Sequence, residues 1–142
     1  DRTTWIRVAQ FYNAAKNGRL DDFQRLLQEG VAPDLKNIHG ITPLWRAAAG
    51  GHAAVVKALL ATGAVDVNYQ NIDGRTPLFW AAAIGYTRVV QLLLDKGAHV
   101  HYKDIDGRTP ISVARERGNG DMVEILTDYS DKGLISNTLG TN

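Results

Sequence analysis

Gly40-Ile41-Thr42-Pro43-Leu44 returns as Gly74-Arg75-Thr76-Pro77-Leu78 and again as Gly107-Arg108-Thr109-Pro110-Ile111, with the threonines 34 and then 33 positions apart. A fixed period in this range marks a repeat protein. Each unit is a small supersecondary element that cannot bury its own apolar face and must stack on its neighbours. Such a chain works through a surface shared by several units rather than through an enclosed pocket.

Each copy carries the same local instructions. Thr42, Thr76 and Thr109 are placed to accept a backbone N–H as helix N-caps, and Pro43, Pro77 and Pro110 take the first helical position, where no donor is needed. Alanines follow at Ala47-Ala48 and Ala81-Ala82, small enough for neighbouring helices to approach closely, and Gly51, Gly85 and Gly118 then end a short first helix. A second helix is expected where Val55-Val56 pairs with Leu59-Leu60, Val89-Val90 with Leu93-Leu94, and Met122-Val123 with Ile125-Leu126, a spacing that gives one apolar stripe. Gly63 and Gly97 end these helices. Val65 to Asn68 and Ala98 to His101 then lead into an extended hairpin that closes at Gly74 or Gly107.

Taken together, Gly-x-Thr-Pro-Leu, the alanine pair, Gly51-His52 before Val55-Val56, the Leu-Leu pairs and Gly63-Ala64 before Val67-Asn68 resemble the ankyrin repeat. The resemblance implies an all-α repeat solenoid, an ankyrin-type stack of helix-turn-helix units joined by β-hairpin loops. The whole chain, 1–142, reads as a single domain of about four repeats: a degenerate N-terminal unit at 4–39, then 40–73, 74–106 and a shortened 107–129. In the first unit Ala14-Ala15 and Gly18 survive and Phe23 with Leu26-Leu27 supplies the second helix, but the Thr-Pro-Leu block is missing. Thr3 or Thr4 is expected to cap a longer helix there, whose Trp5, Ile6, Phe11 and Tyr12 suit a terminal unit that covers the end of the stack. Residues 130–142 form a tail, in which Leu134, Ile135 and Leu139 either lie back over the last helix or mark where a further repeat follows.

The family usually has histidine after Thr-Pro-Leu, bonding across the turn and between repeats; here Trp45, Phe79 and Ser112 stand instead, so aromatic packing replaces a polar ladder. Histidine after the turn glycine remains only at His52, with Tyr86 and Asn119 in the other copies. Trp80 beside Ala81-Ala82 is similar to the Trp-Ala-Ala variant of ankyrin arrays attached to fungal NTPase-type receptors.

Sixteen Lys and Arg against fifteen Asp and Glu leave no net field to attract polyphosphate, so nucleic acid is not an expected partner. Arg75 and Arg108 recur in one column, with Asp73 and Asp106 two residues before them offsetting the charge. Zero cysteines exclude a disulfide framework and thiolate metal sites, and suit a reducing compartment, cytoplasmic or nuclear. No uncharged apolar run approaches eighteen residues and the start lacks the pattern of a signal peptide, so no membrane partner is expected. The chain begins at Asp1, which points to a longer parent protein, and an isolated domain of this kind is expected to be monomeric.

No enzyme signature emerges. No serine lies in Gly-x-Ser-x-Gly, and Gly118-Asn119-Gly120 lacks the third glycine of a dinucleotide fingerprint and follows a helix. Asp104-Ile105-Asp106-Gly107 resembles part of a calcium loop, yet Arg115 falls where the bidentate glutamate belongs. His99 and His101 share one face of an extended segment and would need His39 or another donor to ligate zinc. Asp21-Asp22 opens a helix, where negative charge suits the dipole. No catalytic residue, metal site or cofactor is therefore expected.

What remains is recognition, and the resemblance implies a concave face built from hairpin tips and the exposed side of the first helices. Ile38, Ile72 and Ile105 occupy one turn position in three successive loops and form a candidate apolar strip. His39, Asp73 and Asp106, then Ile41, Arg75 and Arg108, give it a polar rim. The first helices offer Arg46, Ala49, Trp80, Ala83, Ile84, Val113 and Glu116, with tryptophan and arginine as typical anchors. The leading reading is a non-catalytic module that binds another protein or another segment of its parent chain. A second reading is a small-molecule or substrate groove walled by Trp45, Phe79, Trp80 and Tyr86. A third is homotypic stacking through the ends of the array.

Overall fold

A computed structural model describes the backbone of residues 1–140 and the side chains of residues 1–130. Among the described residues eight helices follow one another: α1 (Arg2–Asn17), α2 (Leu20–Gln28), α3 (Pro43–Ala49), α4 (Ala53–Ala61), α5 (Pro77–Ile84), α6 (Thr87–Asp95), α7 (Pro110–Glu116) and α8 (Gly120–Gly140). They form antiparallel pairs. The first helices pack in a row, α1 on α3 on α5 on α7, and α2, α4 and α6 pack in a second row behind them. The chain is thus a helical repeat solenoid.

The apolar spacing of the sequence dictates this arrangement. Val55, Val56, Leu59 and Leu60 of α4 and Val89, Val90, Leu93 and Leu94 of α6 are all buried, and Ala47, Ala48, Ala81, Ala82 and Ala114 let the first helices meet at close range. One apolar cluster runs from Phe11 to Leu126 through every pair. Burial of each such leucine contributes about 1.5–3 kcal/mol, so no unit is independent of its neighbours.

Thr42 caps α3 by accepting the Trp45 N–H at 3.1 Å. Thr109 and Ser112 form a reciprocal capping box on α7, and Pro occupies the first turn of all three short helices. Thr76 departs from the expectation. Its hydroxyl is buried without a hydrogen-bond partner and caps nothing, while the backbone N–H of Phe79 turns to the Thr76 carbonyl at 3.1 Å. At the chain start Asp1, rather than Thr3 or Thr4, caps α1 by accepting the Thr4 N–H at 2.9 Å.

The first unit also corrects the sequence reading. Phe11 is fully buried and stacks on Phe23 with ring centroids 4.6 Å apart. Trp5 and Ile6, however, lie on the forward half of α1 and are 73% and 51% exposed, so they do not cover the end of the stack. The fate of Leu134, Ile135 and Leu139 falls outside the described side chains.

Consecutive units interlock at their turns. Gly51 has φ +75° and sits against the ring of Tyr86 from the following unit, so that a Cβ here would come within 2.7 Å of that ring. His52 occupies the same place over Gly18 and Asn119 over Gly85. His52 also bonds back through Nε2 to the Lys16 carbonyl at 2.8 Å. Each unit therefore fills a gap that only glycine leaves in the one before it.

The connecting loops differ from the expected extended hairpins: among the described residues they contain turns and no strand. Hydrogen bonds within each turn are supplemented by others between units. Asn68 donates to the Gly97 carbonyl at 3.1 Å and accepts the His99 N–H at 2.9 Å, and Gln70 reaches the Lys103 carbonyl at 3.3 Å.

Candidate functional site

Asn37, Asn71 and Asp104 stand three residues before Gly40, Gly74 and Gly107, and each organises a loop tip in the same way. The side-chain Oδ1 of Asn37 accepts the backbone N–H of His39 and Ile41 at 2.9 and 3.0 Å. That of Asn71 accepts those of Asp73 and Arg75, both at 3.0 Å. That of Asp104 accepts those of Asp106 and Arg108, both at 2.9 Å. A backbone bond closes each loop as well, the longest being Asn37 N–H to the Ile41 carbonyl at 3.1 Å. Short Asx side chains suit this turn because their oxygen substitutes for a backbone acceptor.

Successive tips are tied together. The Ile72 N–H donates to the His39 carbonyl at 3.1 Å, and the Ile105 N–H to the Asp73 carbonyl at 2.9 Å. On this frame the three isoleucine side chains point outward, Ile38 91%, Ile72 63% and Ile105 71% exposed. The sequence reading found the isoleucines and overlooked the residue before each of them. The signal was present, since Asn37, Asn71 and Asp104 share the spacing of the threonines.

Asp104 adds charge to the third tip. Its side chain is fully buried, with Oδ2 3.3 Å from Nε of Arg75 and 3.3 Å from Nε of Arg108. Only Arg75 makes a hydrogen bond of this approach; the Arg108 N–H points off the line and pairs by proximity of charge alone. Burial pushes the Asp104 carboxyl up. The backbone N–H groups of Arg108 and Asp106, the Arg75 hydrogen bond and the Arg108 charge outweigh burial and hold it below the ordinary carboxylate value. The residue read as a fragment of a calcium loop thus serves as an arginine clamp. Arg75 pairs with this aspartate of the next loop rather than with Asp73, whereas Arg108 also approaches its own Asp106 at 3.6 Å.

The clamp positions Arg75 over two aromatic rings. Its guanidinium carbon lies 4.8 Å from the Phe79 centroid and 4.9 Å from that of Trp80, while Arg108 lies 5.7 Å from Phe79 and Arg117 lies 5.8 Å from Trp80. Phe79 and Trp80 meet edge to face at 5.3 Å. Cations over aromatic faces at this range contribute about 0.5–1 kcal/mol each when exposed. Trp80 is therefore held by neighbours on several sides.

The remaining first-helix candidates divide. Ile84 is 47% exposed, Glu116 is exposed, and Arg46 and Ala49 are half-buried. Ala83 and Val113 do not belong on the surface: both are buried with Phe79 in a small cluster beneath Trp80. In the rim His39 and Asp106 are exposed, and Ile41, Asp73, Arg75 and Arg108 are half-buried.

The aromatic residues do not converge as walls of one cavity. Phe79 is 1% exposed and Tyr86 packs against Gly51. His99 tilts against Tyr102 at 5.7 Å and His101 Nε2 lies 3.0 Å from Ser130 Oγ. Among the described residues no three His, Asp or Glu side chains gather as metal donors, and no helix is long and apolar enough to cross a membrane.

Comparison with known families agrees with this geometry. A profile of ankyrin repeats in three copies matches residues 11–104, and a second profile of ankyrin repeats in many copies matches residues 85–127. No curated protein matches the chain, and nothing found supports the likeness to arrays on fungal NTPase-type receptors.

Proposed function

The chain belongs to the ankyrin-repeat family, whose members generally act as protein–protein interaction modules, and on that premise we propose a non-catalytic domain that holds a partner across its loop tips and first-helix face. The partner is another protein or another segment of the parent chain. Units at 4–39, 40–73, 74–106 and 107–129 supply the face in succession.

The observation that carries this reading is the isoleucine row. Ile38, Ile72 and Ile105 are large apolar side chains left in water, each on a turn fixed by its own Asx residue and two of them bonded through the backbone to the previous tip. An apolar strip on a rigid frame loses little conformational entropy when covered, which favours binding. Trp80, Ile84 and the rim of His39, Asp73, Asp106, Arg75 and Arg108 supply anchors and orientation beside it. The small-molecule reading is not favoured, since two of its four aromatic walls, Phe79 and Tyr86, are spent on packing within and between units.

The test is capture of partner protein on the immobilised chain, compared with Ile38→Asp/Ile72→Asp/Ile105→Asp of confirmed fold. Capture by the wild type and its loss in the triple variant are expected. Equal capture by both would move the site off the tips.

A further inference from the structure

Among the described residues, cations on or beside the first helices without a carboxylate partner include Arg46 and Arg117. Arg75 and Arg108, by contrast, are engaged by Asp104. Arg46 takes the position on α3 that Trp80 takes on α5, 34 residues on, and these two helices pack against each other. Arg117 follows α7 and lies 5.8 Å from the Trp80 ring. Half-buried Trp80 and half-exposed Ile84 thus lie on α5 next to α3, whose Arg46 stands over its own Trp45 ring at 6.0 Å, while Arg117 of the following unit reaches Trp80 directly.

From this we infer that the partner segment is an acidic peptide carrying an apolar or aromatic side chain between carboxylates, a conclusion that rests on the protein-binding reading and narrows it. The apolar residue covers Trp80 and Ile84. The carboxylates meet Arg46 and Arg117, whose planar forks match a carboxylate in two parallel hydrogen bonds. A neutral apolar segment would strip water from both arginines with nothing in return, which opposes binding. A basic segment would be repelled. A continuous phosphate backbone is not favoured, because sixteen Lys and Arg are balanced by fifteen Asp and Glu and leave no extended positive field.

The experiment is selection of random short peptides displayed on phage against the purified chain, followed by titration of one enriched peptide at low and high salt. Enrichment of Asp or Glu around Trp, Leu or Phe is expected. Arg46→Ala and Arg117→Ala, each shown by its melt to be folded, should weaken that peptide roughly five- to tenfold, less so at high salt. Selection on Arg46→Glu/Arg117→Glu should switch the flanking residues to Lys or Arg. A neutral or basic consensus, or an acidic one indifferent to both arginines, overturns the inference while leaving protein binding intact if Ile72→Asp still abolishes it. A single-stranded oligonucleotide that binds more tightly than the acidic peptide overturns it in favour of nucleic acid. Failure to enrich any peptide overturns the acidic-peptide inference alone, the protein-binding reading being decided by capture on the immobilised chain.

Discussion

The tips at Asn71 and Asp104 follow one backbone path and differ by a single functional group. Both side chains accept the N–H groups two and four residues ahead, at 2.9–3.0 Å, and both are buried. The amide of Asn71 completes its turn and stops there. The carboxylate of Asp104 completes the same turn and has charge left over, which it spends on Arg75 of the preceding unit and Arg108 of its own. A turn of this shape thus requires only an oxygen in the right place. Joining that turn electrostatically to the neighbouring unit requires an ionised one.

Substitutions separate the two contributions. Asp104→Ala should have the largest effect, lowering stability by about 2–4 kcal/mol in a urea melt, because it orphans two backbone N–H groups and leaves Arg75 half-buried without its counter-ion. Asn71→Ala should cost about 1–3 kcal/mol, for the two N–H groups alone. Equal losses for the two alanine variants would show that the ion pairs add nothing.

Asp104→Asn retains an oxygen for the turn and discards the charge, with an expected loss of about 1 kcal/mol near neutral pH, moderated by the solvent that reaches Arg108. This loss should depend on acidity. The folded-state carboxyl of Asp104 titrates below the unfolded value of about 3.9, so its contribution is complete above that pH and disappears as pH falls through the folded value. Melts of wild type and Asp104→Asn should therefore be fully separated above about pH 4 and converge as pH falls below it. A constant difference across that range would assign the loss to shape rather than charge. Ile72→Asp should be the mildest, changing stability by no more than about 0.5 kcal/mol while weakening capture of a partner, since the side chain above the Asn71 turn is exposed.

The same contrast explains what could be read from the sequence. Helix pairs, their order and the buried Val and Leu positions were legible because each depends on spacing within a unit, as Leu59-Leu60 and Leu93-Leu94 illustrate. The exposure of Ile38, Ile72 and Ile105 was legible for the same reason. Contacts between units were not. Nothing local distinguishes Thr76, whose hydroxyl is left unpartnered, from Thr42 and Thr109, which cap their helices. Ala83 and Val113 lie on helices five and seven, and only the packing of those helices places both under Trp80. Trp5 and Ile6 are apolar and still exposed, because no further helix row reaches the forward half of α1 among the described residues. The aspartate of the third loop belonged to a visible Asx column, but its arginine partner 29 residues earlier is found only by stacking the units.

The turn glycines give the array a direction of reading. His52, Tyr86 and Asn119 each enter the space left by a glycine one unit upstream, so the units are keyed like links that fasten one way only. Excision of residues 74–106 would set Asn119 against Gly51 where Tyr86 now lies, a small key in a large lock. A splice by whole repeats must therefore keep each turn glycine in register with the side chain that enters from the next unit.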